Sequence, residues 1–415
     1  MNSGRSIALR LVSVVVVLAL SCFGTMAAAA PPFKIGYCIS LTGVYKSLGI
    51  DMRDGLNLYM EEIGHKAGGR DVEVLVKNIA SNTVTLALDS AFDLIEKNKV
   101  DVIAGVVDSG CAYALAELVE KHDVPFVISN AGADDLTQRK ASPLIVRVSF
   151  TSSGGSHPLG SWAFEQGFRK AVTIGAGNAA GYEQIGGICN TFTKMGGRIV
   201  QELWPPLGTQ DFKPILAQIK PDADVAFVFL AGGDAIRFVQ QFASSPLKER
   251  LPIVAKGDLV EPNVLAQVGK SADGVVNVTH WSPSVDTPEN SRFKSAFAKK
   301  YGRAPSHYAE QGYVTGMVIA EALQKAKGEI KGKDLVRVMR SIELKAPRGT
   351  IRFDEFGAPI QNYYIGKIQL SDGQWQNTII KTFPSLSQFW TWNPQEFMAK
   401  PSYIEMKGKW VTSGP

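Results

Sequence analysis

Short apolar runs alternate with segments of helical periodicity along most of this chain. Val102–Val107 and Val124–Ile128 have the length and β-branched content of buried parallel strands, and Ala112–His122 between them has the spacing of a helix. These segments predict a βαβ unit, and the same alternation on both sides predicts a doubly wound sheet. The other predicted elements of this sheet are strands at Phe33–Ile39, Val72–Val76 and Leu144–Val148 and helices at Asp51–Gly64 and Thr83–Lys99.

A second series of the same kind begins after Thr151–Gly155 (TSSGG), where the composition shifts as at a crossing between domains. We therefore predict an α/β protein with two doubly wound parallel-sheet lobes. The second lobe has predicted strands at Ala171–Ile174, Arg198–Leu203, Val225–Leu230, Pro252–Ala255 and Gly274–Thr279 and helices at His157–Gly167 and Phe212–Ile219.

In the last quarter of the chain, the regular alternation of predicted strands and helices ends. Its pattern predicts two helices, Pro288–Tyr301 and Ser306–Ala326, and then a short strand at Gly349–Phe353. Tyr363–Leu370 and Trp375–Thr382 alternate around a Ser-Asp-Gly turn and predict a hairpin. Beyond this hairpin the chain is rich in aromatic residues without a period, and we expect this tail to pack on the body of the protein.

The N-terminus has the pattern of a secretory signal. Arg5 and Arg10 flank the start of an apolar run to Leu20, and an alanine-rich cleavage region follows. We predict a signal peptide at residues 1–29 and a periplasmic location, with lipidation at Cys22 as an alternative. Loss of the two arginines lowers the formal charge from +5 to +3, which is too weak to indicate nucleic acid or anionic membrane as a partner. The mature region contains no predicted membrane span.

Three cysteines remain after the signal, namely Cys38, Cys111 and Cys189. They have no C-x-x-C or Cys/His spacing, and we expect mostly free thiols. With only five histidines in the chain, we predict no metal site and no cofactor.

Two neighbouring strands of the first lobe end in small polar residues. Asp108-Ser109-Gly110 follows one strand and Ser129–Gly132 follows the next. Ligands of open parallel sheets sit beyond the carboxyl ends of the strands, where helix N-termini favour an anion such as a carboxylate. Ser109 and Asn130 could equally be helix caps or turn residues.

The order and spacing of several motifs resemble the type I periplasmic solute-binding proteins of ATP-binding-cassette (ABC) importers, in the leucine/isoleucine/valine-binding protein family. The resemblance covers about Phe33 to Thr382. The motifs that carry it are Ser40–Gly43 (SLTG), Asp108–Cys111 (DSGC), Pro125–Thr137 (PFVISNAGADDLT), Ala179–Gly181 (AAG), Pro305–Tyr308 (PSHY) and Gly312-Tyr313.

The resemblance implies two lobes joined by a three-strand hinge, with crossings near Phe150, Ser282 and Gln361. Lobe I would contain residues 30–149 and 283–360, and lobe II residues 150–282 and 361–382, with the aromatic tail at 383–415.

The resemblance also implies a ligand site. A ligand carboxylate would be held by Ser109 and by Asn130, Ala131 and Gly132, with Tyr45 and Tyr308 beside the ligand body. The sequence departs from the amino-acid binders where they carry an acidic residue for the ligand ammonium, because Gly257 stands at that position. Asp258 could serve instead, and Ala180 replaces a tyrosine. His280, Trp281 and Tyr182 add candidate aromatic contacts.

The expected function is that of an extracytoplasmic binding protein that closes over a small carboxylate-bearing ligand and delivers it to a membrane permease. The ligand would be an aromatic or hydrophobic acid, or a branched-chain or hydrophobic amino acid. A soluble component of a sensor system is the alternative. An enzyme is not expected, because there is no G-x-S-x-G, dinucleotide or P-loop signature. We expect a monomer.

Overall fold

The computed structural model describes residues 30–326 and 330–411. The predicted signal peptide and Cys22 lie outside these residues. No described helix is both long and apolar enough to span a membrane. Within the same residues, no group of His, Cys, Asp and Glu side chains could hold a metal ion. Cys38, Cys111 and Cys189 are buried free thiols, as expected.

Fifteen strands of the described chain form two sheets. In chain order they are β1 (Phe33–Ile39), β2 (Lys66–Ala67), β3 (Arg70–Asn78), β4 (Val102–Gly105), β5 (Phe126–Ile128), β6 (Ile145–Arg147), β7 (Lys170–Gly175), β8 (Arg198–Leu203), β9 (Val225–Phe229), β10 (Ile253–Lys256), β11 (Val276–Thr279), β12 (Leu344–Ala346), β13 (Gly349–Phe353), β14 (Pro359–Ser371) and β15 (Gln374–Leu386).

The described chain contains twelve α-helices. In chain order they are α1 (Lys46–Glu62), α2 (Val84–Glu96), α3 (Ser109–His122), α4 (His157–Glu165), α5 (Ala179–Lys194), α6 (Lys213–Leu216), α7 (Gly232–Ala243), α8 (Pro262–Val268), α9 (Pro288–Tyr301), α10 (His307–Lys325), α11 (Gly332–Arg340) and α12 (Pro394–Met398).

The first sheet has the order β2-β3-β1-β4-β5-β6, and all its pairs except β2 with β3 are parallel. Strand β1 lies at the centre of the parallel strands, since it pairs with β3 through Ile35 and Val74 and with β4 through Ile35 and Val102. Helices α1 and α10 add their apolar faces to the same core. This sheet and these helices form lobe I.

The second sheet has the order β12-β13-β14-β11-β10-β9-β7-β8, and β15 pairs with β14. Its strands β7 to β11 are all parallel to one another. They are ordered around β7 in the same way as the parallel strands of the first sheet are ordered around β1. The predicted hairpin is present as β14 and β15, which pair down to Ser371 and Gln374. The parallel strands of this sheet, β14 and the helices α4 to α8 share one core and form lobe II. The strands β12 and β13 instead add Leu344, Ala346 and Ile351 to the core of lobe I. The predicted fold class of two doubly wound α/β lobes is therefore confirmed, whereas the exact lobe boundaries stay a prediction.

A buried ion pair lies where the chain passes between the lobes. The Arg348 and Glu310 side chains are both fully buried and form a bidentate salt bridge, in which Arg348 Nε donates to Glu310 Oε1 at 2.8 Å and Arg348 Nη2 donates to Oε2. Arg348 also donates to the carbonyl oxygens of Val148 and Ser149, each at 3.0 Å, and to Gln361 Oε1 at 3.0 Å. One side chain thus ties together the regions of two of the predicted crossings, near Phe150 and Gln361.

Residues 387–411, which follow β15, form a segment that we call the strap. Its aromatic side chains Phe389, Phe397 and Tyr403 are buried in a cluster of their own. The strap ends at Val411, which forms a parallel bridge with Ile199 of the edge strand β8. The aromatic residues that showed no period in the sequence therefore have defined packing positions.

Candidate functional site

A pocket lies between the points where the strand order reverses in the two lobes. In lobe I these are the carboxyl ends of β1 and β4, and in lobe II those of β7 and β9. Such points are where open α/β sheets bind ligands. The pocket is lined by Tyr45, Leu48, Val107, Asp108, Ser109, Asn130, Gly132, Phe150, Ser152, Ala180, Gln184, Phe229, Ala231, Asp258 and Tyr308.

The turn after β4 determines where Ser109 lies. Gly105 has a φ of 106°, and a Cβ there would come within 2.3 Å of the Cys38 carbonyl oxygen. Val106 follows with a φ of 69°, which is rare for a β-branched residue, and its N–H donates to Cys38 O at 2.7 Å. Because of this strained turn, β4 ends at Gly105, two residues before the end predicted at Val107. The turn places Asp108 as the N-cap of α3, where its Oδ1 accepts from Cys111 N–H at 3.0 Å. Ser109 is therefore the first residue of α3 and faces the pocket.

Three hydrogen-bond donors meet at this end of the pocket. Ser109 Oγ accepts from the Ala133 N–H at 3.0 Å, so its own hydrogen remains available to a ligand. In the loop after β5, the N–H groups of Ser129, Ala131 and Ala133 form hydrogen bonds within lobe I. No described residue accepts a hydrogen bond from the N–H group of Gly132 in the same loop. Ser152 Oγ is buried and makes no short hydrogen bond to the described residues, although it lies close enough to Glu183 to lower the pKa of that carboxyl.

Gly132 is required at its position by close packing. A Cβ there would lie 1.9 Å from Ser152 Oγ and 2.9 Å from Ser152 N. The missing side chain lets the Ser152 hydroxyl approach the backbone of the β5 loop. Together with Ser109 and the N-terminus of α3, these groups form a site suited to a carboxylate.

The two lobes are in direct contact around the pocket. Asn178 Nδ2 donates to Tyr45 OH at 3.2 Å, and Gly233 N–H donates to Val44 O at 3.3 Å. The space open to the centre of a water molecule is only about 30 Å³. That is room for a few waters at most, so a ring-sized ligand requires the lobes to move apart slightly.

The other end of the pocket holds a buried carboxylate with positive neighbours. Asp258 Oδ1 accepts from Tyr308 OH at 2.6 Å and lies 3.5 Å from His307 Nε2. Burial alone would raise the pKa of Asp258, but His307, Lys256 and Tyr308 together lower it below its usual 3.8. Lys256 Nζ is buried too and donates to Gly155 O at 2.8 Å, and burial lowers its pKa to about 8. Asp258 is therefore ionised at neutral pH and already compensated by a protein cation.

Asn130 and His280 are linked through a third side chain. Asn130 Nδ2 donates to Gln311 Oε1 at 2.8 Å, and Gln311 Nε2 lies 3.1 Å from His280 Nε2. Burial lowers the pKa of His280 well below 6.5, so the ring is neutral and Nε2 accepts from Gln311. His280 itself lies behind the pocket, in a small adjoining space that it shares with Phe150 and Asp258.

The comparisons with known proteins agree with this architecture. A model of the family described as periplasmic binding protein matches residues 32–374. The chain belongs to this family. A Leu/Ile/Val-binding protein homolog 6 of Brucella melitensis is 29% identical to this binding protein over 373 residues, which are 88% of this chain and 95% of the relative.

Two solved structures are similar over most of this binding protein. An ABC transporter substrate-binding protein from Sphaerobacter thermophilus is 33% identical, with a TM-score of 0.81, and the match covers 86% of this chain and 99% of that one. A solute-binding protein of an ABC transporter from Rhodopseudomonas palustris BisB5, in complex with 3,4-dihydroxybenzoic acid, is 32% identical, with a TM-score of 0.82 and coverage of 86% and 98%. This chain is thus an extracytoplasmic solute-binding protein of the ABC-transporter type, a class that consists of binding proteins rather than enzymes.

Besides His280, three more predicted site residues of this binding protein do not line the pocket. Ala131 is buried with its N–H bonded to Val106 O and its carbonyl oxygen to Arg147, so its backbone faces lobe I. Tyr182 lies on the outer side of α5, where its hydroxyl accepts from Lys407 Nζ at 2.9 Å. Trp281 points away from the pocket, because Nε1 donates to Asn290 Oδ1 at 2.8 Å and the ring packs in the cluster around α9.

Ser152, Lys256 and His307 were missed as site residues by the sequence reasoning. Ser152 lies in the Thr151–Gly155 stretch, whose composition indicated only a crossing. Lys256 lies two residues before the predicted Asp258, and His307 lies immediately before the predicted Tyr308. A search for all polar residues in a motif, rather than one, would have found both.

Proposed function

We propose that this protein binds a small aromatic carboxylate in the periplasm and delivers it to the membrane permease of an ABC importer. The observation that carries the proposal is the polarity of the pocket. Three free donors lie at one end, and the rings of Tyr45, Phe150, Phe229 and Tyr308 line the rest.

An aromatic acid is favoured over an amino acid by the charges at the far end. An α-amino acid brings an ammonium group that needs an uncompensated carboxylate in a buried site. Asp258 already interacts with Lys256, His307 and the Tyr308 hydroxyl, and a second cation beside Lys256 would be repelled. The Rhodopseudomonas palustris neighbour, which was solved with a dihydroxybenzoic acid, supports the same ligand class.

The donors can supply useful affinity. Hydrogen bonds to an ionised carboxylate contribute about 1.5 to 3 kcal/mol each, and burial of one ring adds to this. Micromolar binding needs about 8 kcal/mol. We propose that closure of the lobes over the ligand supplies this energy and creates the surface that the permease recognises, with the protein acting as a monomer.

The test is a ligand screen on the purified mature protein. Melting temperatures are measured with benzoates, phenylacetate and cinnamate, and in parallel with leucine, isoleucine, valine and phenylalanine, and each hit is confirmed by calorimetry. A Gly132→Ala variant serves as a control with a blocked carboxylate end, because its new Cβ would collide with Ser152 Oγ.

We expect stabilisation by aromatic acids that lack an amino group, and none in the control variant. Stabilisation by leucine or phenylalanine alone would contradict the proposal and assign the ammonium to Asp258.

A further inference from the structure

The far end of the pocket contains a carboxylate oxygen without a partner. Asp258 is buried, and its Oδ1 accepts the Tyr308 hydroxyl at 2.6 Å. No hydrogen bond from the described residues reaches the other oxygen, Oδ2, although the side chain lines the same pocket as Ser109. A buried charged acceptor with one free oxygen favours a ligand that brings a donor.

The donor should be neutral. Lys256 lies two residues before Asp258 at the end of β10 and is itself buried, and His307 Nε2 approaches Asp258 to 3.5 Å. The carboxylate therefore has its positive charge from the protein. What remains unsatisfied is a hydrogen bond rather than a charge, and a hydroxyl group meets that need at a smaller desolvation cost than an ammonium.

We propose that Asp258 accepts a hydrogen bond from a hydroxyl group on the ligand ring, so that the preferred ligands are hydroxylated aromatic acids. Tyr308 holds the carboxylate in place by bonding Oδ1, and Oδ2 points to the ligand. This inference rests on the proposed function, because it assumes that the carboxylate of the same ligand binds at Ser109.

The test compares four probes by calorimetry, namely benzoate, 3-hydroxybenzoate, 4-hydroxybenzoate and 4-methoxybenzoate. The wild-type protein should bind a hydroxybenzoate about tenfold to a hundredfold more tightly than benzoate, because one hydrogen bond to a charged acceptor is gained. The methoxy compound, which can accept but not donate, should bind worst.

An Asp258→Asn variant replaces the acceptor by an amide of the same shape. It should lose most of the preference for the hydroxyl over the methoxy group, because the charged acceptor is gone. Asp222→Asn, at an exposed aspartate of lobe II, is the matched control and should change nothing.

Equal affinity of the wild type for benzoate and both hydroxybenzoates would overturn this inference but not the proposed function. The wild-type series decides the matter even if the variant does not fold. Binding of leucine without any benzoate would instead contradict the proposed function itself.

A second inference comes from the strap, which contacts the two lobes in turn. Gln388 Nε2 donates to Thr137 O at 2.7 Å in lobe I, and the Trp392 ring then packs 4.8 Å from His157 in lobe II. Next, Arg139 of lobe I donates to backbone carbonyls at the end of α12, including Lys400 O at 2.8 Å. The last part returns to lobe II through a hydrogen bond between the Tyr403 hydroxyl and His157 Nε2 and through Glu202, whose side chain accepts from Gly408 N and Trp410 N.

We infer that the strap resists separation of the lobes and so slows ligand release. Because its contacts alternate, the strap cannot move with one lobe without losing contacts to the other. The whole strap also lies beyond residue 374, where the match to the family model ends.

The test is a double variant, Arg139→Ala with Gln388→Ala, which removes the main bonds between strap and lobe I. The matched control is Lys407→Ala, which removes a bond between strap and lobe II only, from Lys407 Nζ to Tyr182 OH. Small-angle scattering of the ligand-free proteins should show a larger radius of gyration for the double variant alone. Release of a bound benzoate should be several-fold faster in that variant.

A folded double variant with an unchanged radius, or a control that opens equally, would overturn the inference. The scattering result needs no ligand and so does not depend on the proposed function.

Discussion

Replacement of Ser109 by alanine tests the carboxylate end of the pocket directly. The serine is buried at the start of α3, and its Oγ accepts from Ala133 N–H, which leaves its own hydrogen free to donate to a ligand. Alanine removes one donor to an ionised carboxylate, which is worth about 1.5 to 3 kcal/mol. The dissociation constant should therefore rise about tenfold to 150-fold.

The same change affects the folded protein without ligand. Ala133 N–H loses its acceptor and stays buried, and an unpaired buried donor costs about 1 to 3 kcal/mol. We therefore expect lower stability in urea as well as weaker binding. Affinity is measured by calorimetry with the strongest hit of the ligand screen, under conditions where both proteins are folded.

Ser161→Ala provides the matched control. This half-buried serine on α4 makes only a long contact of 3.4 Å to Glu165, far from the pocket lining, and its variant should behave as wild type. If Ser109→Ala binds the acid as tightly as the control does, the carboxylate lies elsewhere and the assignment of the donors is wrong.

Three further changes probe other parts of the structure. Gly132→Ala should weaken binding at least about tenfold, since its Cβ would lie 1.9 Å from Ser152 Oγ, and calorimetry showing undiminished affinity would refute this close approach. Burial lowers the pKa of His157 to about 3 from the usual 6.5, so the unfolded chain takes up a proton first as the pH falls. The contribution of His157 to stability should thus be constant above pH 6.5 and decline towards pH 3, by up to about 3 kcal/mol at pH 4, and urea melts of His157→Gln should show a smaller decline over that range than those of the wild type. Arg348→Met should cost about 3 to 5 kcal/mol in urea unfolding because it leaves Glu310 buried and unpaired, and a loss below about 1 kcal/mol would count against a structural role for the pair.

The sequence was most informative about the elements of the two sheets. Apolar runs bounded by small residues predicted β1, β8 and β13 to the residue, because buried strands leave a strong pattern. It was less informative where backbone geometry overrides the pattern. Val106 and Val107 extend an apolar run, yet the chain leaves the sheet at Gly105, whose positive φ starts the strained turn before Ser109.

The pocket was predictable on the side where strand ends carry the signal. Tyr45, Ser109, Asn130, Gly132 and Tyr308 all lie at it. On the lobe II side, of the predicted site residues only Asp258 lines the pocket, because the rest of that side depends on which surfaces meet across the cleft.

The sequence also did not predict in which direction side chains on irregular segments point. Trp281 follows a strand end just as Ser109 does, but a partner on α9 draws its ring away. Lys256 looks like a surface lysine until the carbonyl oxygen of Gly155, about a hundred residues earlier in the chain, meets its ammonium group.

The bridge between Val411 and Ile199 has a consequence for solubility. Strand β8 ends the parallel part of the second sheet, and an open strand of this kind offers unpaired N–H and C=O groups to other molecules. The last residue of the strap occupies part of that edge and so blocks strand-to-strand association. Removal of Val411 and the residues after it would therefore expose the unpaired edge of β8. We expect such a variant to aggregate even where ligand binding is intact.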